Sequence, residues 1–355
     1  MFPYIVTVNR AFPRKCNPAV GLLLIVVSLV LSGCNSIEDY DNNYEGNFDA
    51  LWNFVDNHYC FFEQKGIDWD EIGAKYRPEA LRCGSQRALF NVMASMLDEL
   101  RDGHVNLSSW FETSYYRKWW SDYPQNYDER LVEQYYLNFG YHALGSVYYG
   151  ILMPHNIGYL RIPTFSSGLG ESNIDAILDY FTLCAGIVID VRDNGGGDLT
   201  NVETYVSRFI SEPIVAGYMI HKNGPGHNDF SDPYEYRYTP ANGHRLWLKP
   251  VAVLTNRSTF SAANNFVGIM KSLPTVTVVG ATTGGGSGMP LSSELPCGWG
   301  IRISACRILD PEGHDTEFGV QPHPGYEIDL DPIAALAGKD TMLDAAIAAL
   351  LAPNP

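Results

Sequence analysis

The sequence predicts an α/β protein with a mixed, largely parallel sheet core behind an N-terminal helical domain. Three observations carry this. Apolar residues recur at helical spacing between positions 45 and 101. From Ile157 onward, short β-branched runs alternate with helical patterns. Strand, crossover helix and strand then repeat, an order that favours parallel pairing.

The first 33 residues stand apart from both regions. Arg10, Arg14 and Lys15 precede an uncharged apolar stretch over 20–32, too short to span a bilayer comfortably. Residues 34–44 carry Glu38, Asp39 and Asp41 and read as a flexible tether. In the helical domain, 45–104, Phe48, Leu51, Trp52, Phe54 and Val55 form one apolar face. Ser85 then caps an amphipathic segment that turns Leu89, Phe90, Val92, Met93, Met96, Leu97 and Leu100 inward. A connecting segment, 105–156, is aromatic-rich and irregular, and its aromatics read as packing rather than a ligand cage.

The core is expected over 157–335. Its strands are read at 157–162, 186–191, 251–254 and 276–279, and its helices at 172–181, 200–210 and from Ala262 until Pro274. Residues 211–250 are rich in Pro, Gly, Asn, His and Tyr and read as a long loop. A helix and tail close the chain over 336–355.

The chain's formal charge is −16, and residues 1–33 hold three basic and no acidic side chains. So acidic a remainder argues against nucleic acid or anionic lipid surfaces as partners. Beyond Cys16 and Cys34, five cysteines remain, with no Cys-x-x-Cys and no His-Glu-x-x-His, so no metal and no cofactor is implied. In an exported chain Cys297 could pair with Cys306, or Cys60 with Cys83.

Ser261 is the foremost candidate for chemistry. It lies in Asn256-Arg-Ser-Thr-Phe-Ser-Ala-Ala-Asn264, between a buried strand pattern and an amphipathic helix. A hydroxyl at such a corner faces free N–H groups and the positive end of a helix dipole. It can cap the helix, or it can act as a nucleophile whose oxyanion those groups stabilise. Gly-x-Ser-x-Gly is absent around it, which disfavours an esterase-type elbow.

Four segments occur in order: Asp102-Gly-His104, Asp190-Val-Arg-Asp-Asn-Gly-Gly-Gly197, Thr259-Phe-Ser-Ala-Ala263 and Gly280-Ala-Thr-Thr-Gly-Gly-Gly-Ser-Gly288. Together they resemble the S41 serine peptidases, which include the carboxy-terminal processing peptidases and the tricorn core. The resemblance implies a ClpP/crotonase-like core, a Ser261 nucleophile and protein or peptide substrates. It also implies an oxyanion hole from the N–H groups of Ala262 and Gly196, and a substrate loop at Gly284, Gly285 and Gly286. The processing branch uses a lysine where this chain has Gly286. The tricorn-like branch uses a histidine, matched here by His104, which can take the serine proton and return it to a leaving amine. Glu317, in Thr316-Glu-Phe-Gly-Val-Gln-Pro322, matches the group that steadies that histidine. Gly103 replaces tricorn's relay serine, and His323 stands where the family usually has aspartate. The short gap between His104 and Ile157 leaves no room for a PDZ module.

Leu31-Ser-Gly-Cys34 resembles the lipobox of bacterial lipoproteins, implying cleavage before Cys34, lipidation of its sulfur and a lipid-anchored protein of the cell envelope. The departures at Gly103, Gly286 and His323 keep open a non-catalytic peptide- or ligand-binding lipoprotein on the same fold.

Overall fold

The computed structural model describes residues 40–352. The expected signal segment, 1–33, and the lipidation site at Cys34 lie outside the described residues.

The helical region comprises α1 (Tyr44–His58), α2 (Phe62–Lys65), α3 (Trp69–Leu81) and α4 (Gln86–Asp98). Ser85 caps α4 by accepting the Ala88 N–H at 3.2 Å, and Leu89, Phe90, Met93, Met96 and Leu97 are buried along one face. The chain then enters β1 (Asn106–Ser108), short turns including α5 (Lys118–Ser121) and α6 (Glu129–Leu131), and the antiparallel pair β2 (His142–Leu144) and β3 (Val147–Leu152).

The expected strands form the centre of a six-stranded sheet. β4 (Ile157–Arg161), β5 (Ile187–Asp190), β8 (Val251–Thr255) and β9 (Val276–Gly280) are parallel, and β3 and β2 extend the sheet antiparallel beyond β4. A parallel sheet must be covered on both faces, which is why these strands read as unbroken apolar runs. Alternation divides their side chains. Ile187, Ile189, Val251 and Val253 join α7 (Glu171–Tyr180), α8 (Leu199–Val206) and α9 (Ala262–Lys271) in one core. Val188, Ala252, Leu254 and Val279 pack with Met342, Leu343 and Ala346 of the last helix, Thr341–Leu351, on the other face.

A second, antiparallel sheet was not expected from the sequence. It holds β1, β6 (Ile214–His221), β7 (Tyr234–Tyr238), β10 (Gly288–Glu294) and β11 (Gly300–Leu309). The region 211–250 is therefore not simply a loop: Ile214–His221 pairs with β11 and Tyr234–Tyr238 pairs with Ile214–His221. Its Gly- and Pro-rich flanks mask strands that exist only through this pairing. The segment 105–156 likewise supplies β1 to this sheet and β2 and β3 to the central one. Cys60, Cys83, Cys184, Cys297 and Cys306 are all free thiols, so neither disulfide suggested by the spacing forms. Among the described residues no helix is long and apolar enough to cross a membrane.

Candidate active site

Three loops leave the carboxyl ends of neighbouring parallel strands, where open α/β sheets place their ligands. The glycine turn follows β5, the Ser261 corner follows β8, and the 284–286 loop follows β9. They are stitched to one another. Thr259 Oγ1 donates to the Val191 carbonyl at 2.8 Å, and the Phe260 N–H to the Asn194 carbonyl at 2.9 Å. Asn256 Nδ2 donates to Asp193 Oδ1 at 2.7 Å, while Asn256 Oδ1 accepts the Asp193 N–H at 2.9 Å. The Ser261 N–H donates to the Gly285 carbonyl at 2.9 Å.

Ser261 occupies the cap position of α9 but makes no capping bond. Its backbone sits at φ 59° and ψ −123°, a conformation that costs a non-glycine residue about 1–3 kcal/mol and persists only where its surroundings enforce it. The hydroxyl is thereby released from the helix end, and its Oγ lies 2.9 Å from His104 Nε2.

His104 arrives from the end of the helical region, just before β1. It is 4% exposed, its ring packs 4.8 Å from that of Phe260, and its N–H donates to Asp102 Oδ1 at 2.8 Å. Burial pulls the imidazole down to about 4; Asp102 opposes this, and Arg302 and Lys65 reinforce it. The ring is therefore neutral at pH 7, the form that can accept a proton. Its Nδ1 has no hydrogen-bond partner among the described residues.

Glu317 does not reach that nitrogen directly, contrary to the expectation that it steadies the imidazole. One of its oxygens pairs with Lys65 Nζ at 2.7 Å and the other accepts the Ser287 N–H at 2.9 Å. Burial, then the neighbouring Asp102, raises its pKa to about 7, well above the usual carboxylate range, despite Lys65.

Two of the three departures from the family pattern, Gly103 and Gly286, lie where a side chain would clash. A Cβ on Gly103 would lie 2.6 Å from Trp119 Nε1 and 2.9 Å from Phe260 Cζ, and those two rings stack at 4.0 Å. A relay serine at 103 would have to displace both. A Cβ on Gly286, whose φ is +76°, would fall 2.4 Å from the Phe260 ring, so the lysine of the processing branch has no room either.

Gly196 lies against the nucleophile, since an added Cβ would be 2.8 Å from both Ser261 Cβ and Ala262 N. Its own N–H, however, donates to Asn194 Oδ1 at 2.9 Å. The N–H of Ala262, first in α9, has no acceptor among the described backbone bonds. Beside the serine opens a cleft of about 480 Å³, bordered by Gly197, Leu199, Ala262, Met289 and Ile308. Of the expected substrate-loop glycines only Gly286 lines it. Gly284 and Gly285 instead hold the serine corner, Gly284 through its N–H to the Thr259 carbonyl at 2.8 Å.

Sequence reasoning missed Lys65 and Trp119. Neither carries a local signal: Lys65 ends a four-residue helix, and Trp119 reads as one more aromatic in an irregular stretch.

The model of peptidase family S41 matches residues 156–324, and that of the tricorn protease C1 domain matches residues 40–98. A crystal structure from Parabacteroides merdae, carrying the provisional name of a peptidase, is 43% identical. The match covers 88% of this chain and 98% of that one, with a TM-score of 0.83. The carboxy-terminal processing protease CtpB of Bacillus subtilis is 28% identical over 170 residues, 47% of this chain and 33% of that protein. The tricorn protease of Thermoplasma acidophilum is 29% identical over 203 residues, 55% of this chain and 17% of that protein. The chain thus spans well under half the length of these two curated relatives. With the helical region, the central sheet and its three loops all accounted for, this chain belongs to peptidase family S41.

Proposed function

We propose that this protein is a serine peptidase that hydrolyses peptide bonds in protein or peptide substrates through an acyl-enzyme on Ser261. The observation that carries the reading is the 2.9 Å contact between a neutral, buried His104 and a strained, uncapped Ser261 at the mouth of a cleft. Ser261 Oγ attacks the carbonyl carbon while His104 Nε2 takes the hydroxyl proton. The Ala262 N–H and a second N–H from the glycine turn receive the oxyanion. Collapse of the tetrahedral intermediate breaks the C–N bond, and His104 gives its proton to the departing amine. Water, deprotonated by the same imidazole, then attacks the ester; the carboxylic acid leaves and the serine hydroxyl is restored.

The cleft's border combines Leu199, Met289, Pro290 and Ile308 with uncharged polar groups, and among the described residues Asp198 is its only ionisable one. Such a surface favours uncharged substrate side chains over acidic ones. A serine-reactive fluorophosphonate is expected to label the wild-type protein at Ser261 and to leave Ser261→Ala unlabelled. Equal labelling of the variant sinks the assignment.

Lipid anchoring at Cys34 in the bacterial cell envelope is part of the same proposal and rests on Leu31-Ser-Gly-Cys34 alone. Cells producing the full chain are expected to incorporate radiolabelled fatty acid into it and to lose that label in Cys34→Ala. Label retained by the variant overturns the anchor.

A further inference from the structure

The Ser261–His104 contact leaves out a buried ionic cluster directly behind it. Lys65 Nζ lies 2.7 Å from Glu317 Oε1 and 3.3 Å from Asp102 Oδ2, and its side chain is 4% exposed. It also donates to the Arg101 carbonyl at 3.2 Å. Tyr59 O–H donates to Asp102 Oδ2 at 2.9 Å, and the rings of Phe61 and Tyr59 stand 5.4 and 5.9 Å from the ammonium. Asp102 spends its other oxygen on the His104 N–H, and Glu317 spends its own on the Ser287 N–H. A continuous chain therefore runs from the loop bordering the cleft, through Glu317, Lys65 and Asp102, to the backbone of the base. Lys65, at the end of α2, is the only one of these three side chains supplied by the helical region before position 100.

We infer that Lys65 is a positioning residue of the active site, locking the loop of His104 to the loop of Glu317 and Ser287 and setting the electrostatic surroundings of the imidazole. The inference rests on the reading of Ser261 and His104 as the reactive pair. Its geometry requires a cation: two carboxylates meet in a space closed to water, where each alone carries a large desolvation cost. A neutral side chain of equal length would fill the volume but leave the Asp102 carboxylate without its cation and drive Glu317, whose pKa burial and Asp102 already raise, further toward its protonated form. Burial disfavours the charged ammonium, but Asp102 and Glu317 outweigh it, so Lys65 stays protonated across neutral pH.

The charge acts on His104 in a definite direction. The groups facing that imidazole are Asp102 on its own loop, Arg302 from β11 and Lys65 from α2. Asp102 favours the imidazolium, while Arg302 and Lys65 oppose it. Glu317 faces Lys65, Asp102 and Asp315. Removing the lysine charge must therefore make His104 easier to protonate, an effect that simple loosening of the fold has no reason to produce.

The test uses the described protein with ¹³C-labelled histidine, following the His104 ring signal against pH by NMR alongside peptide hydrolysis. Lys65→Met is expected to raise the pH at which His104 protonates by about half a unit or more. The acid limb of kcat/KM is expected to move with it, and kcat to fall about 10- to 100-fold while KM changes little. Lys65→Arg, which keeps the cation, should leave the limb at its wild-type position. If Lys65→Met does not fold, Lys65→Met/Glu317→Gln removes one carboxylate with the lysine, and the same upward movement is expected. An unmoved His104 titration in whichever of these folds overturns the inference, as does wild-type kcat. A wild-type protein inert to peptides and fluorophosphonates counts against the peptidase reading, whereas a moved His104 titration in that protein still supports the role of Lys65.

Discussion

Ser261→Ala and His104→Asn are each expected to lower kcat/KM for a peptide substrate by about 10³-fold or more. On the proposed mechanism alanine removes the atom that forms the ester, and asparagine removes the one group, among the described residues, placed 2.9 Å from that atom to take its proton. Because the two side chains act as a unit, the double variant is expected to be scarcely worse than either single one. The remaining slow hydrolysis would come from the oxyanion donors and the cleft. The same pair fixes the pH dependence. In the proposed role His104 acts as a base only when neutral, and burial holds it down to about 4, below its usual 6.5. Activity in kcat/KM, which reports the free enzyme, is therefore expected to stay flat as pH drops through 6.5 and to fall only on approaching about 4. Steady-state assays over pH 3.5–8, with folding monitored by circular dichroism, read both effects. A Ser261→Ala protein retaining a tenth of the activity, or an acid limb centred at 6.5, removes His104 and Ser261 from the chemistry as described.

The parallel strands were legible in the sequence because both of their faces are covered. Ile187, Val188 and Ile189, or Val251, Ala252, Val253 and Leu254, leave no polar position to confuse the pattern. The serine corner was legible for a related reason: the chain must turn sharply from such a strand into the amphipathic α9. The second sheet was hidden because its evidence is not local. Ile214–His221 becomes a strand by pairing with Gly300–Leu309, far away in sequence, and Tyr234–Tyr238 is mostly exposed. His104 was found only through resemblance, since Asp102-Gly-His104 has no distinguishing periodicity. The contact made by Glu317 was anticipated at the wrong partner, because the cation that captures it, Lys65, comes from a third segment. Trp119 explains the glycine at 103 after the fact: an indole from an irregular stretch fills the space a relay side chain would need. Contacts of this kind arise from tertiary packing between segments and leave no trace in any one of them.

Replacing Arg192 by leucine is expected to cost about 3–5 kcal/mol of stability, because it strands two buried carboxylates. In the sequence, Asp190-Val-Arg-Asp193 sits beside the glycine turn and could be taken for reactive chemistry; in the fold, Asp190 and Arg192 are wholly buried structural groups. The Arg192 guanidinium meets Asp190 Oδ2 at 2.6 Å through Nη2 and Asp340 Oδ2 at 2.8 Å through Nη1, and it lies 4.5 Å from the Tyr127 ring. Tyr159 O–H adds a bond to Asp190 Oδ2 at 2.8 Å. Asp340 Oδ1 meanwhile accepts the N–H groups of Met342 and Leu343, capping the helix that covers one face of the sheet. Arg192 therefore joins the carboxyl end of β5 to the start of that helix, directly beneath the turn that serves Ser261. Lysine should not restore the loss, because one ammonium cannot reproduce the forked contacts to two carboxylates. The triple change Arg192→Leu/Asp190→Asn/Asp340→Asn should recover much of it, since the charges left without a partner are then gone and asparagine still caps. Urea titrations of the three proteins decide the matter. A loss below about 1 kcal/mol in Arg192→Leu, the level of an exposed ion pair, would mean that water reaches this cluster and that the site is not anchored through it.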